Sequence, residues 1–257
     1  MKKIIMDHIP HSVKDVIRII KHVLKPKVER HKLYVAAVAG KSGLEIGGPS
    51  TIFKTVLPIY KAVSSLDGAN FSCSTIWEGN IKSGSGFHYL GNRSGFQYIA
   101  DATDLSEIGS EAYDFVLSSN CLEHVANPIK ALLEWRRVLR PDGILVLVLP
   151  DAASNFDRHR QPSSFESILD RYRRDVSETD ISSLDEVLAL HDFKLDKWSG
   201  GRDEFKKRAL NNFETRTLHH HVFDWENTKS MLSHVGFDII TRSKTHTDYY
   251  WLCKKSA

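Results

Sequence analysis

Cysteine is scarce in this chain: Cys73, Cys121 and Cys253 are the three among 257 residues. Their number is odd and none stands in a CxxC pair, which argues against a disulfide framework and against a zinc knuckle. Long apolar runs are missing as well. No stretch reaches the ~18 consecutive apolar residues of a membrane span, and the opening "MKKIIMDHIP" has no apolar core of the kind a secretory signal needs. The expected location is the cytoplasm. Nucleotide-binding signatures are also absent: "GGPST" lacks the third glycine of GxGxxG, and GxxxxGK[ST] does not occur. Both absences weigh against a dinucleotide or ATP, whose phosphates want backbone amides and positive charge rather than carboxylates. There is no internal repeat and no low-complexity run.

What is present is the composition of an ordinary globular core, 41% apolar, at a length that suits one α/β domain with an insertion. The net charge of +3 is uneven: residues 1–41 hold ten Lys or Arg against three acids, so the rest of the chain is about four units acidic. In "VKDVIRIIKHVL" the residues Val13, Val16, Ile17, Ile20 and Val23 form a helical stripe. A helical arm packed on a core is therefore favoured over a nucleic-acid-binding tail for residues 1–42.

Beyond the arm, strands and helices alternate. "KSGLEIG" reads as a first strand and "SSLDGANF" as the end of a second; five glycines between Gly79 and Gly95 suggest a mobile surface segment. "FQYIADATDL" and "YDFVLSSN" are third and fourth strands. "NPIKALLEWRRVL" is a helix capped by Asn127 with Pro128 in its first position, and "RPDG" turns into the very apolar strand "ILVLVLP". Residues 154–218 lose this rhythm and read as a helical insertion over the substrate; 219–257 resume the α/β core of 43–153 with a helix from Asp224 to Gly236 and a closing antiparallel hairpin. The fold class is α/β, a doubly wound, mainly parallel sheet of Rossmann-like type.

Such sheets bind ligands at the carboxyl ends of their strands, where Glu45, Asp67, Asp101 and Ser119/Asn120 fall. Carboxylates beside a glycine turn suit a cationic ligand with an amino group and a ribose, and S-adenosylmethionine (SAM) has both. Glu45 is expected to orient the ammonium through the turn, Gly47, Gly48, Pro49 and Ser50 to bring the backbone close, and Asp67 to take the ribose hydroxyls. Asp101, Ala102 and Thr103 are expected around the adenine.

A base for a hydroxyl acceptor is sought in "HHHVF", where alternation puts His219 and His221 on one face and His220 on the other. His159 in "FDRHRQP" is a second candidate, and Arg158 and Arg160 are candidates to grip a phosphate or carboxylate. The competing reading shares a metal ion between His219 and His221 with Asp151, Asp157 or His159; no local third ligand favours it, and no metal is expected.

"LEIGGPS", "ADATDL", "YDFVLSSNCLEHVANPIKALLEWRRVLRPDGILVLVLPD" and "HHHVF" before a helix ending in "GF" resemble class I SAM-dependent methyltransferases. They resemble in particular the small-molecule branch with many enzymes of microbial glycan and surface-polysaccharide biosynthesis. Pro49 and Thr51 stand where that family's DxGxGxG turn has its second and third glycines. The resemblance implies SAM as cofactor, the histidine segment over the methyl group, and methylation of a sugar, nucleotide sugar or other glycan precursor. Methylation of nucleic acid and a non-catalytic role as an assembly partner are the alternatives carried with it.

Overall fold

The computed structural model describes residues 28–257. The apolar stripe of the expected arm lies outside them; of the segment 1–42, helix α1 (His31–Val38) and its flanks are described. Tyr34 and Val38 of α1 are buried, and the Tyr34 hydroxyl donates to the Tyr250 carbonyl at 3.1 Å.

The strands are β1 (Ser42–Ile46), β2 (Ser65–Asn70), β3 (Ser74–Thr75), β4 (Gly79–Asn80), β5 (Gly84–Leu90), β6 (Arg93–Ile99), β7 (Tyr113–Ser119), β8 (Leu139–Pro150), β9 (Phe237–Lys244) and β10 (Asp248–Lys255). Eight of them form one sheet in the order β5-β6-β2-β1-β7-β8-β10-β9. Strands β6, β2, β1, β7 and β8 run parallel, while β5 and β10 are antiparallel to their neighbours. The chain winds from β1 outward through β2 to β6 and then returns to β7 on the other side, so the strand order reverses between β1 and β7.

Both faces of this sheet are covered, as parallel strands require. Helix α2 (Pro128–Val138) starts where expected, with the Asn127 side chain accepting from Lys130 N at 3.2 Å. It packs with α7 (Trp225–His234) on one face, over Leu145, Leu147 and Leu149; α1 and two single helical turns cover the other, over Ile144, Val146 and Val148. Successive β8 residues thus alternate between two dry cores. The insertion contributes α3 (Phe165–Arg173), α4 (Leu184–Leu190), α5 (Arg202–Leu210) and α6 (Asn212–Thr215), with a small apolar cluster of its own around Leu184, Leu188, Phe205 and Leu218.

Two expectations are corrected. The glycine-rich stretch is mostly strand: β3 pairs with β4, and β5 with β6. Phe87 and Tyr89 are buried with His88 exposed between them, the period-2 signal beneath the glycines, and Gly95 lies so close to β2 that a Cβ there would sit 1.9 Å from the Leu66 carbonyl. "RPDG" is a bulge inside β8: while β7 advances from Tyr113 to Phe115, β8 advances from Leu139 to Ile144, with Asp142 at φ 62°.

Trp135 on α2 is fully buried and donates through Nε1 to the Ala102 carbonyl at 3.0 Å, tying the helix to the loop after β6. Trp135→Ala should cost about 3–5 kcal/mol by lost packing. Trp135→Phe, which keeps an aromatic ring but strands that carbonyl, should cost about 1–3 kcal/mol. Urea unfolding of the two variants checks the ranking; equal losses would assign no energy to the indole ring's packing beyond the hydrogen bond.

Candidate active site

The carboxyl ends of β1, β2, β6, β7 and β8 open onto a cavity of about 960 Å³ at the point where the strand order reverses. The sheet contributes Ile46 and Gly47, Asn70 and Phe71, Ala100 and Ala102, Ser119 and Asn120, and Pro150. The insertion contributes Phe156, Trp198, Phe205, Arg208 and Arg216 from the opposite side. Trp77 and Glu78 cover the edge, with the Trp77 ring 5.2 Å from that of His124.

The turn after β1 is shaped by what lies beneath it. Gly47 adopts φ +74° with Cys121 so near that a Cβ would be 2.8 Å from its Sγ; a Cβ on Gly48 would be 2.3 Å from the Glu45 carboxyl carbon. Glu45 is wholly buried under this turn and accepts from Ser50 N at 2.9 Å and from the Tyr60 hydroxyl at 2.6 Å. Burial pushes its pKa up to about 8 despite those two donors. Glu45 therefore sets the backbone of Gly47, Pro49 and Ser50, which line the cavity, and does not line it itself.

Asp67 is a correction. It stands in the middle of β2, accepting from Phe96 N and from the Tyr113 hydroxyl, both at 2.7 Å, and is no part of the cavity wall. The strand runs three residues further, and Asn70 occupies its end, donating to the Gly48 carbonyl at 2.9 Å. Asp101 lies just past β6, but its carboxylate is engaged: Oδ1 accepts from the Thr103 amide at 2.8 Å and Oδ2 pairs with Arg216 at 2.8 Å. Burial alone would raise its pKa; Arg216 and the Thr103 donors outweigh burial and lower it. Its neighbours Ala100 and Ala102 face the cavity, whereas Thr103 lines a separate groove of about 560 Å³ with Lys130 and Arg137.

The three histidines of the triplet have three environments. His219 reaches the cavity, and its Nδ1 meets Asp157 Oδ2 at 2.5 Å. Arg160 holds the other Asp157 oxygen at 2.9 Å and donates to the His219 carbonyl at 3.0 Å. Burial opposes the His219 cation, but Asp157 outweighs it and the pKa is raised. His220 is enclosed by Glu178 at 3.4 Å, Asn212 at 3.1 Å and Arg171 at 3.4 Å. His221 does not share the face of His219 as alternation implied: residues 219–223 form no strand, and His221 packs against the Ala126 carbonyl at 3.3 Å, where burial lowers its pKa to about 3.

The remaining basic candidates are corrected too. The His159 side chain is 55% exposed beside Asp192 and lies outside the cavity. Arg158 pairs with Asp192 at 2.5 Å, and Arg160 is spent on Asp157 and Glu186. Sequence reasoning did not single out Asn70, hidden by the misjudged strand end, nor Arg208 and Arg216, in a segment without periodicity.

The cavity wall carries four carboxylates, Glu78, Glu123, Asp196 and Asp248, against two guanidinium groups, Arg208 and Arg216. Ser119 Oγ, on that wall, is buried without a hydrogen-bond partner. An acidic wall, a turn stripped of Cβ atoms and a free hydroxyl suit a cationic ligand with polar substituents.

Residues 69–147, from the end of β2 into β8, match the family model described as a methyltransferase domain. The match spans 79 of the 257 residues. The matched segment supplies Asn70, Ala102, Ser119 and Asn120, while the Gly47–Ser50 turn and the insertion lie outside it. Solved structures described as SAM-dependent methyltransferases align with the chain. One from Thermotoga maritima has 15% identity and a TM-score of 0.47, covering 95% of this chain and 96% of that one. One from Methanosarcina mazei has 17% identity and a TM-score of 0.45, covering 87% and 97%. One from Aquifex aeolicus has 10% identity and a TM-score of 0.45, covering 91% and 91%. No curated protein matches the chain. Among the described residues no helix is long and apolar enough to cross a membrane.

Glu45 generates a stability prediction. A carboxyl whose folded pKa of about 8 exceeds its unfolded value near 4.5 binds an extra proton in the folded state between those pH values. Its contribution is complete below pH 4.5 and is lost as pH rises through 8, at a slope of at most about 1.4 kcal/mol per pH unit. Glu45→Gln keeps an acceptor for Ser50 and cannot ionise, so the wild type should lose more stability than this variant between pH 5 and pH 8. Parallel urea-unfolding curves across that range would contradict the assignment.

Proposed function

We propose that the protein is a SAM-dependent methyltransferase that acts on a hydroxyl, or another heteroatom, of a polar small molecule, with a sugar, nucleotide sugar or surface-glycan precursor as the favoured class. The observation that carries the reading is the Asp157–His219 pair, because Asp157 fixes the ring of His219, which lines a cavity walled by strand ends and by the insertion. Cofactor binding is assigned to Gly47, Pro49, Ser50, Asn70, Ala102, Ser119 and Asn120. The acceptor is assigned to the side built by Phe156, Trp198, Phe205 and Arg208.

SAM, when bound, supplies an electrophilic methyl group on a sulfonium centre. The chain's own tasks are to hold the acceptor atom in line and to exclude water. His219 is fixed for the activation of that atom: Asp157 holds Nδ1, and the rings of Phe156 at 4.8 Å and His124 at 4.4 Å confine the imidazole. An anionic substituent on the acceptor would meet Arg208, which has no carboxylate partner among the described residues. The excess of carboxylates on the wall speaks against a nucleic-acid acceptor, and the glycan class and a cytoplasmic setting rest on the sequence resemblance and on the absence of apolar runs.

Transfer of labelled methyl from SAM into a panel of sugars and nucleotide sugars tests the acceptor class; incorporation into RNA alone would overturn it. His219→Ala should lose roughly 10²–10⁴ in turnover while binding S-adenosylhomocysteine normally by calorimetry. His221→Ala should lower stability more than rate. Asn70→Ala should weaken S-adenosylhomocysteine binding by about 1–3 kcal/mol, whereas Asp67→Ala should leave that affinity unchanged. The reverse pattern at Asn70 and Asp67 would return the cofactor role to the acid.

A further inference from the structure

Three donor side chains converge on the cavity next to one another: Glu123, His124 and His219 each have a ligand atom within 4.8 Å of the other two. Glu123 and His124 come from the helical turn Leu122–His124 that follows β7, and His219 from the chain returning out of the insertion. Two of the three have unmet donor capacity. Glu123 is 1% exposed, and its Oε2 is buried without a hydrogen-bond partner; His124 Nδ1 is likewise buried without one. Unpaired buried polar atoms of this kind are costly unless something satisfies them. The third donor is prepared differently: with Nδ1 of His219 held by Asp157, and Asp157 held by Arg160, the atom of His219 left for a ligand is Nε2.

From this geometry we infer that Glu123, His124 and His219 bind a divalent first-row transition ion, Zn²⁺ being the best match, at the wall of the methyl-transfer cavity. Two imidazoles and one carboxylate form a borderline donor set that suits Zn²⁺, Co²⁺ or Fe²⁺ and is a poor one for Mg²⁺, which prefers oxygen ligands and water. Bonds of about 2.0–2.2 Å set donor atoms roughly 3.3 Å apart in a tetrahedral site, so the three donor atoms, within 4.8 Å of one another, need to draw closer around the ion. Asp157 is the outer carboxylate that fixes the imidazole of a ligating histidine and favours the tautomer with Nε2 free. The wall's surplus of carboxylates adds a field that favours a cation. The open side of the ion faces the cavity, where a fourth ligand would be water or an oxygen of the acceptor. Such an ion would supply Lewis-acid polarisation of that oxygen, and His219 would then activate the acceptor as a ligand of the ion and not as a proton acceptor.

This inference rests on the proposed function for its role in catalysis but not for its existence, and the test separates the two. The full chain, stripped with a chelator, is titrated with Zn²⁺, Co²⁺ or Mg²⁺ by calorimetry in the presence of S-adenosylhomocysteine, and the Co²⁺ form is examined by visible absorption. One Zn²⁺ or Co²⁺ per chain, an absorption band of Co²⁺ in a low-symmetry nitrogen and oxygen field, and no comparable Mg²⁺ binding are expected. Glu123→Gln and His124→Ala should each weaken Zn²⁺ binding at least tenfold, and Asp157→Asn by about 10–100-fold. His159→Ala, which alters a histidine outside the cavity, should change nothing. A folded wild type that takes up no stoichiometric ion, or binding in Glu123→Gln and His124→Ala equal to that of the wild type, would overturn the site. Should one variant fail to fold by circular dichroism, the other decides. Zn²⁺ binding without S-adenosylhomocysteine binding would instead refute the methyl-transfer reading and leave the ion site standing.

Discussion

A carboxylate buried at Asp157 must be paired, and the way it is paired organises the functional half of this molecule. A charge taken out of water costs several kcal/mol unless partners of opposite sign and hydrogen-bond donors surround it. Asp157 finds both in Arg160 and His219, 3 and 62 residues away along the chain. Because Arg160 also donates to the His219 carbonyl, one group closes the start of the insertion onto the segment where the chain leaves it. The insertion is therefore fastened over the strand ends at both of its roots, and His219 is fastened with it.

A second junction ties the insertion to the sheet. Arg216, in a left-handed backbone conformation at φ 51°, pairs with Asp101 past β6 and approaches Glu178 at 3.6 Å, while its guanidinium lies 4.9 Å from the centre of the Phe71 ring. It thereby touches the ends of two strands and one loop of the insertion. The result is a cavity with a floor of strand ends and a roof held by one buried and one half-buried ion-pair cluster. Its wall includes the exposed aromatics Trp77 and Trp198.

The same logic explains why the acids counted at the strand ends divided their labour. Glu45 supports the glycine turn from below, and Asp101 anchors Arg216; the surfaces a ligand meets are the backbone and small side chains beside them. A carboxylate near a binding site is often there to hold the wall in shape. The histidine triplet divides in the same way: one ring faces the cavity, one completes a buried polar network, and one packs against a carbonyl.

Much of the fold was legible in the sequence by itself. Alternating strands and helices, Asn127 and Pro128 opening α2, Asp224 capping α7 and the apolar run of β8 are local signals, since each depends on hydrogen bonds and burial patterns within a dozen residues. The glycine turn after β1 was legible for the same reason. Tertiary structure decided what no local pattern encodes. Which of Asp67 and Asn70 ends β2 depends on the register with β1 and β6; which histidine meets Asp157 depends on the path of the insertion; and Glu123, in the turn after β7, became a cavity residue beside His219 only when the chain returned 96 residues later. Sequence patterns report the neighbours a residue has along the chain, whereas a site's charges, orphaned donors and depth are set by neighbours that only folding brings together.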